Sequence, residues 1–318
     1  MKVSEVSMLI NDVVNEVSKV IVDKDDVIKL LLMAVLANGH VLIEDFPGLA
    51  KTLIAKSIAK VLGCKFSRVQ FTPDLLPADI IGSMVYNQVE GSFEFRRGPI
   101  FTNILLGDEI NRAPPKTQSA LLEAMQEHQV TVEGKTYKLP DPFIVIATQN
   151  PIEYEGTYPL PEAQVDRFMI KLSVGYPSKE GEIDMLKRRI LRRADDVELK
   201  SLATPDVIID SQQAIEDVYV SDEILKYIVN IVRATRNHNY VEVGVSPRGT
   251  LALLKLSRVK AVIEGRDYVI PDDVKEVAPY VLSHRLILKS ELWIKGIRPE
   301  QIIMNVINEI EVPKSIGK

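Results

Sequence analysis

Residues 44–52 read Glu-Asp-Phe-Pro-Gly-Leu-Ala-Lys-Thr and have the residue types of a phosphate-binding loop. They follow the apolar run 41–43 and lead into a helical pattern, so backbone N–H groups at the helix start would point at an anion. In such a loop the lysine reaches the outer phosphates and the hydroxyl after it ligates magnesium. The residues that we expect to contact the nucleotide are Pro47, Gly48, Leu49, Ala50, Lys51, Thr52 and Leu53.

Two loop positions depart from the usual pattern, which has Gly where this chain has Asp45 and Ala50. Gly serves there because the backbone takes unusual dihedral angles and the phosphate approaches closely. Ala50 adds a single methyl group. The Asp45 carboxylate is compatible with a polyanion only if it points away from the phosphates. The alternative interpretation is a turn without function between a strand and a helix.

A second apolar segment ends in two adjacent carboxylates, Asp108 and Glu109. A nucleotide hydrolase needs an aspartate associated with magnesium and a glutamate that polarises the attacking water at the end of such a strand. The loop and the acidic pair occur in the order that this chemistry requires. Together they favour a magnesium-dependent nucleotide hydrolase over a turn without function.

Bulk composition narrows the protein class. The 318 residues suffice for one large and one smaller domain, and the 46% hydrophobic and 26% charged fractions are ordinary for a soluble globular protein. A net charge of −5 disfavours nucleic acid as a partner. The single cysteine, Cys64, excludes an intrachain disulfide and fits a cytoplasmic protein. The longest apolar run, residues 30–37, is too short for a membrane span, which needs roughly 20 residues.

Hydrophobic periodicity predicts an α/β protein. Helical patterns cover residues 4–22, residues 26–38 with Asp25 as cap, and the segment after the loop to about residue 62. Short apolar segments that read as strands lie at 41–44, 68–71, 100–106, 143–147 and 168–172. Their alternation with helices indicates a parallel sheet with helices on both faces, and this arrangement would position the loop and the acidic pair.

Two β-hairpins and a domain boundary complete the predicted organisation. One hairpin is expected at 130–139 and a second, or a short insertion, at 84–97. Beyond residue 177 the pattern becomes charged and helical without long β segments. We therefore divide the chain into an α/β core, residues 1–177, and a mostly helical second domain, residues 178–318.

Residues 98–127 closely resemble the MoxR family of AAA+ ATPases. So do the segments 71–77, 146–151, 160–168 and 246–248, and the resemblance covers nearly the whole chain. It implies a P-loop NTPase core of the AAA+ type followed by a helical lid. It also implies ATP hydrolysis with Mg²⁺ in a homo-hexameric ring that remodels protein clients or assists metal or cofactor insertion.

The resemblance assigns roles around the phosphates. Lys51 would bind the β- and γ-phosphates, and Thr52 and Asp108 would bind magnesium. Glu109 matches the residue that polarises the attacking water. Asn150 matches the sensor that orients this water, and the alternative for Asn150 is a turn that simply ends the strand.

Two arginines match residues that act on the γ-phosphate. Arg167 resembles the arginine finger supplied to the nucleotide of a neighbouring subunit, and the alternative is a surface salt bridge with Asp166. Arg248 resembles the second sensor, which reaches from the lid to the γ-phosphate of its own site. The alternative for Arg248 is an ordinary surface arginine at a helix start.

The adenine and client contacts follow less directly from the resemblance. A Gly-Gln pair is expected near the adenine where this chain has Asp23 and Lys24, so Val22 is the remaining candidate for that contact. The hairpins at 84–97 and 130–139 resemble elements that face the central axis of the ring. Their aromatic residues Phe93, Phe95 and Tyr137 are candidate client contacts, and packing of these aromatics in the core is the alternative.

Two other functions stay open from the sequence. Asp45 and Ala50 allow a nucleotide-binding scaffold with little hydrolysis, although intact Glu109, Asn150 and Arg167 argue against it. A nucleic-acid motor or a subunit resembling magnesium chelatase is the other alternative. For the remodelling function the resemblance implies protein clients, VWA-domain proteins among them.

Overall fold

The computed structural model describes residues 1–151, 156–194, 197–291 and 296–313. Its strands are β1 (Val41–Glu44), β2 (Phe66–Gln70), β3 (Gly82–Asn87), β4 (Ser92–Arg97), β5 (Ile104–Asp108), β6 (Gln129–Val132), β7 (Lys135–Lys138), β8 (Ile144–Gln149), β9 (Ile170–Leu172), β10 (Val241–Val243) and β11 (Ile287–Leu288). Its helices are α1 (Val3–Val17), α2 (Asp25–Leu36), α3 (Lys51–Val61), α4 (Pro77–Ile81), α5 (Pro115–Glu127), α6 (Glu162–Val165), α7 (Lys179–Arg192), α8 (Pro205–Glu216), α9 (Asp222–Arg236), α10 (Pro247–Ile263), α11 (Pro271–Leu282) and α12 (Pro299–Glu309).

A five-stranded sheet forms the centre of the first half of the chain. Its strand order is β2-β5-β8-β1-β9, and every neighbouring pair is parallel. The central strands are almost wholly buried, as expected for a parallel sheet covered by helices on both faces. The predicted α/β core with a parallel sheet is thus confirmed.

The strand register brings the functional segments to one edge of the sheet. Ile43 of β1 pairs with Thr148 of β8, and Gly107 of β5 pairs with Ala147 of β8. Because all strands run in the same direction, the residues that follow β1, β5 and β8 meet at the carboxyl end. That edge receives the phosphate loop, the acidic pair and Asn150.

Both predicted hairpins are present. β3 pairs with β4 and β6 pairs with β7, each antiparallel. The Phe95 and Tyr137 rings stack with centroids 4.1 Å apart and so join the two hairpins. At the first hairpin, Tyr86 packs edge-to-face against Phe93, with centroids 5.2 Å apart.

The second half of the chain is mainly helical, and its packing continues into the first half. One cluster of buried apolar side chains includes Val6 of α1, Ile28 of α2 and Leu253 of α10. The N-terminal helices thus pack against the lid as well as against the sheet. The division at residue 177 stays a prediction. No helix in the described ranges is long and apolar enough to cross a membrane.

Two predicted segments differ from the structure by more than two residues at one end. The helix expected over 4–22 ends at Val17, and Ser18 turns away with its hydroxyl donating to Asp25 at 2.6 Å. The strand expected over 100–106 begins at Ile104. Residues 100–103 form turns instead, because the Thr102 hydroxyl donates to the Lys65 carbonyl at 2.8 Å. Apolar side chains there are buried without joining the sheet.

Candidate nucleotide site

The phosphate loop lies between β1 and α3, as predicted. Gly48 has φ +86° and Ala50 has φ +56°, so two residues of the loop take left-handed backbone angles. Such alternation turns successive N–H groups towards one point and forms an anion-binding concavity. A Cβ added to Gly48 would meet nothing within 4 Å, so the loop surface is open at this residue. Lys51 is the first residue of α3, and Thr52 follows it.

The Lys51 ammonium is buried beside the loop. Its Nζ donates to the main-chain carbonyl of Asp45 at 2.7 Å. Burial lowers the pKa of Lys51, and three nearby carboxylates oppose that shift. They belong to Asp45, Asp108 and Glu109. A buried cation among acidic groups is well placed to exchange its carbonyl partner for a phosphate.

The Asp45 carboxylate points away from the open side of the loop. Its Oδ2 accepts hydrogen bonds from the Val174 and Gly175 amides, both at 2.7 Å, and from the Ser173 hydroxyl at 2.8 Å. Burial opposes ionisation, but these hydrogen bonds outweigh it, and the pKa of Asp45 is lowered. The condition set by the sequence, a carboxylate directed away from the phosphates, is met.

The acidic pair at the end of β5 is linked to β8 through one hydroxyl. Thr148 Oγ1 donates to Asp108 Oδ1 at 2.7 Å and accepts the Glu109 amide at 2.8 Å. Glu109 itself has φ +57°, a strained angle for a residue with a side chain. Thr148 thus holds both acidic residues at the edge where the phosphate loop lies.

Side chains of β2 and of the turn after β5 hold the two carboxylates. Arg68 donates to Asp108 Oδ2 from Nη2 at 2.7 Å and from Nε at 3.1 Å. Gln70 donates to Glu109 Oε2 at 2.8 Å, and Arg112 Nε lies 3.1 Å from the same oxygen. A magnesium ion would compete with the Arg68 guanidinium for the Asp108 carboxylate.

The oxygen donors fit a magnesium ion shared with phosphates. Thr52 and Asp108 offer a hydroxyl and a carboxylate, the hard donors that Mg²⁺ prefers. Across the described ranges no three acidic, His or Cys side chains form a metal site by themselves. Phosphate oxygens would complete the coordination, as is usual for Mg²⁺ in nucleotide sites. Asn150 is buried directly after β8, at the same edge.

Arg167 lies at the other end of the sheet. It precedes β9, whose first residue, Ile170, pairs with Val41 at the start of β1. The segment from Asp166 to Arg167 therefore belongs to the amino end of the strands. Arg167 lines a cleft of about 270 Å³ against α5, together with Glu123 and Glu127. Within the described residues no salt bridge forms between Arg167 and Asp166, so this alternative is wrong.

Asp166 instead joins the core to the lid. Its carboxylate accepts a hydrogen bond from Ser246 Oγ at 3.1 Å, lies 3.3 Å from Arg248 Nη1, and pairs with the buried Arg285 guanidinium. Arg285 also donates to the carbonyls of Asp166 at 2.5 Å and Phe168 at 2.6 Å.

The Arg248 guanidinium occupies a different place from the one expected. The resemblance has it reach the γ-phosphate of its own site, whereas here it lies beside Asp166 at the amino end of the sheet. The reason is that α10 begins next to this aspartate, through the Ser246 hydroxyl. Arg248 and Arg167 thus lie in the same region, away from the phosphate loop.

Val22 lines a second cleft, of about 570 Å³, between the segment before α2 and the start of α7. Asp23, where Gly was expected, has φ +61°, so the backbone keeps the angle that favours Gly. Its carboxylate accepts the Ser178 amide at 2.6 Å. Lys24 donates to the Tyr176 carbonyl at 2.8 Å. The expected Gly-Gln pair is replaced by residues that hold the chain entering α7.

Known proteins match this chain over nearly its full length. A family model described as ATPase family associated with various cellular activities (AAA) matches residues 40–170, and an AAA lid domain model matches residues 233–306. Chaperone MoxR1 of Mycobacterium tuberculosis is 44% identical over 94% of this chain and 81% of its own length. The chain belongs to the MoxR family of AAA+ ATPases.

Two further relatives and a solved structure are similar to this chain over nearly its full length. The protein YeaC of Bacillus subtilis is 49% identical over 96% of this chain and 95% of its own length. Protein MoxR of Methylorubrum extorquens is 29% identical over 93% and 91%. A crystal structure of a protein from Cytophaga hutchinsonii superimposes with a TM-score of 0.91 at 43% identity, covering 98% of this chain and 96% of that one.

Several residues of this MoxR site escaped the sequence analysis. Thr148 had a signal, because it directly follows the segment predicted as a strand, 143–147, and lies two residues before Asn150. Arg68 and Gln70 occupy alternate positions of β2 and carried a similar signal. Asp166 and Arg285 had none, since they lie 119 residues apart and meet only in the fold.

Proposed function

We propose that this chain is a magnesium-dependent ATPase that works as a homo-hexameric ring and remodels protein clients. The observation that carries the proposal is the meeting of Lys51, Asp108, Glu109 and Asn150 at one edge of the sheet. Each of these residue types has a defined task in phosphoryl transfer, which depends on positioning and charge neutralisation. The family membership supports the same activity.

Nucleotide binding would use the loop and its lysine. The N–H groups around Gly48 and Ala50 would surround the phosphates, and Lys51 would leave the Asp45 carbonyl for a phosphate oxygen. Thr52 and Asp108 would hold magnesium, which supplies positive charge to the β- and γ-phosphate oxygens when bound.

Hydrolysis would use the residues that follow β5 and β8. Glu109 would release Gln70 and Arg112, and its carboxylate would then polarise the attacking water. Asn150 would orient that water. Because Glu109 is held by two partners in this structure, the release of its carboxylate is a step that nucleotide binding must bring about.

The arginines would come from a neighbouring subunit. Arg167 and Arg248 both lie at the amino end of the sheet, and a single chain offers its phosphates at the carboxyl end. Two different surfaces of identical subunits can meet repeatedly only head to tail, and such contacts form a ring when the rotation between subunits closes. We therefore assign both arginines to the site of the next subunit.

Client binding would use the exposed side of the β3–β4 hairpin. The Phe93 side chain is 66% exposed and Val89 is 95% exposed. Phe95 and Tyr137 are half-buried in the stack between the hairpins, so we assign them to packing and Phe93 to the client. Protein segments with apolar side chains fit this hairpin, and VWA-domain proteins are the proposed class of client.

Replacing Glu109 with Gln tests this function. We expect the variant to bind ATP as the wild type does. Its rate of phosphate release should fall at least about a hundredfold, since the group that polarises water is lost. Calorimetry measures binding and a phosphate assay measures turnover. Glu182→Gln, the same change on the exposed surface of α7, is the control and should be neutral.

The outcome also separates the competing function. Wild-type protein that binds nucleotide and assembles without releasing phosphate would be a scaffold. In a scaffold the hydrogen bonds from Arg68 to Asp108 and from Gln70 to Glu109 would persist and keep both carboxylates from taking part in hydrolysis. A Glu109→Gln variant with normal turnover would contradict the assignment of the glutamate. The stalled variant with ATP also serves to capture clients.

A further inference from the structure

The segment between β9 and α7, residues 173–178, is the covalent connection from the sheet to the lid, and we call it the linker. Three of its amides and one of its carbonyls pair with side chains from two loops of the core. The Val174 and Gly175 amides donate to Asp45, and the Ser178 amide donates to Asp23. The Tyr176 carbonyl accepts Lys24 Nζ.

Both carboxylates stand at positions where the sequence analysis expected Gly, Asp45 from the general phosphate-loop pattern and Asp23 from the resemblance. Asp45 replaces the first Gly of the phosphate loop, and Asp23 replaces the Gly of the expected Gly-Gln pair. The two departures from the sequence pattern therefore have one structural result, because each supplies a carboxylate to the same six-residue linker. Hydrogen bonds from an amide to a carboxylate are stronger than neutral ones.

Asp45 has a second contact, with the lysine that is expected to bind the phosphates. Its carbonyl accepts the Lys51 ammonium, while its carboxylate accepts the linker amides. The same residue thus touches the cation expected to move on nucleotide binding and the segment that carries the lid. Asp45 is nearly fully buried, so neither contact is exchanged freely for water.

Asp23 has no comparable contact with the phosphate loop among the hydrogen bonds of the described residues. It fixes the end of the linker where α7 begins, and a Cβ on Gly181 would come within 2.7 Å of Asp23 Cβ. The hydrogen bond from the Ser178 amide lowers the pKa of the Asp23 carboxyl. Asp23 is in this respect a static anchor.

We propose that Asp45 and Asp23 are positioning residues that clamp the linker, and that Asp45 transmits phosphate binding to the lid through it. When the Lys51 ammonium moves to a phosphate, the Asp45 carbonyl loses its hydrogen bond from Lys51. The Asp45 carboxylate then moves, and its hydrogen bonds from the Val174 and Gly175 amides change. Asp23 keeps the far end of the linker in place. This inference rests on the proposed nucleotide binding.

Hydrogen exchange at the linker amides tests the proposal. In the wild type, magnesium with a non-hydrolysable ATP analogue should change exchange at Val174 and Gly175 by about tenfold, a typical coupling between two sites. In Asp45→Gly the analogue should still bind by calorimetry, while this nucleotide-dependent change is lost. In Asp23→Gly exchange at Ser178 should rise, yet the change at Val174 and Gly175 should persist.

A matched control uses another carboxylate that accepts a main-chain amide. Asp79 accepts the Leu76 amide at 2.9 Å, far from the linker in sequence, and Asp79→Gly should leave linker exchange unchanged. Asp45→Asn is a second variant that preserves side-chain size and should reduce the nucleotide-dependent change by at least about half.

The outcomes are distinct. An Asp45→Gly protein that keeps the full nucleotide-dependent change at the linker overturns the proposal. So does the result that both Asp45 variants fold by circular dichroism but bind no analogue, because Asp45 would then serve the loop alone. Wild-type protein that binds no analogue refutes the proposed function instead, and the basal exchange of the Asp45 variants still tests the clamp.

Discussion

The two ends of the central sheet differ in the kind of charge that they present. At the carboxyl end, the negative charges of Asp108 and Glu109 act on the Lys51 ammonium beside an open loop. At the amino end, guanidinium groups collect around Asp166. One end is suited to receive a nucleotide and the other to donate arginines. Under the proposed function, the working unit would be a junction between two chains.

Mixing two inactive variants is the strongest test of that difference. Lys51→Ala removes the receiving site and Arg167→Ala removes the donated group, and each should lower phosphate release about a thousandfold or more. Mixed in equal amounts, about a quarter of the junctions would pair an intact site with an intact arginine, if the subunits meet head to tail. We expect a corresponding return of phosphate release.

A mixture of Lys51→Ala with Glu109→Gln is the control. Both changes damage the receiving end, so no junction is intact and turnover should stay lost. If the first mixture assembles and remains as inactive as the second, Arg167 acts within its own chain. The two ends of the sheet would then not form a shared catalytic site between neighbouring chains.

Replacing Arg285 with Ala should have the next largest effect, on stability. Arg285 is buried and pairs with Asp166, so its loss removes the buried cation beside that carboxylate and leaves the Val281 and Phe168 carbonyls without this donor. We expect the free energy of unfolding to fall by about 3–5 kcal/mol in urea titrations. Arg248→Ala, at a guanidinium that is 46% exposed, should lower it by less than about 1 kcal/mol. Equal effects would show that burial does not distinguish the two arginines.

The smallest effect is expected at the receiving end, for Ala50→Gly. Ala50 has φ +56°, an angle that disfavours any side chain by about 1 kcal/mol or slightly more. Gly should therefore raise the free energy of unfolding by about that amount. Ala59→Gly, inside α3, should lower it instead by roughly 1 kcal/mol or more. A loss of stability in both variants would mean that the loop angle is not strained.

The sheet was largely predictable because local patterns determined its strands. The run 41–43 between polar neighbours became β1 with the expected bounds. Residues 100–103 show the limit, since Ile100 and Phe101 are buried, as an apolar run predicts, but in a turn. Side-chain hydrogen bonds from Thr102 and Asn103 to other segments decide that conformation, and a local pattern does not contain them.

The residue types of the site were predictable from the sequence, but the orientations of some of their side chains were not. Lys51, Asp108 and Asn150 lie near one another because parallel strands bring their ends together. Arg248 was assigned to the wrong surroundings, since its position depends on how α10 meets Asp166, 82 residues away. The orientation of Asp45 likewise depends on Val174 and Gly175. Such pairings arise from the whole fold.

The stacked rings of Phe95 and Tyr137 have a mechanical consequence. Phe93 lies two residues before Phe95 on β4 and is exposed. A force on a client bound at Phe93 would therefore act on both hairpins, because the Phe95–Tyr137 stack joins them. The second hairpin would pass this force to α5, because the Leu139 amide after β7 donates to the carbonyl of His128, the residue that follows the last residue of α5. α5 begins three residues after Arg112, which grips Glu109. Under the proposed function, a pull on the hairpins would therefore reach, through α5, the turn in which Arg112 contacts Glu109.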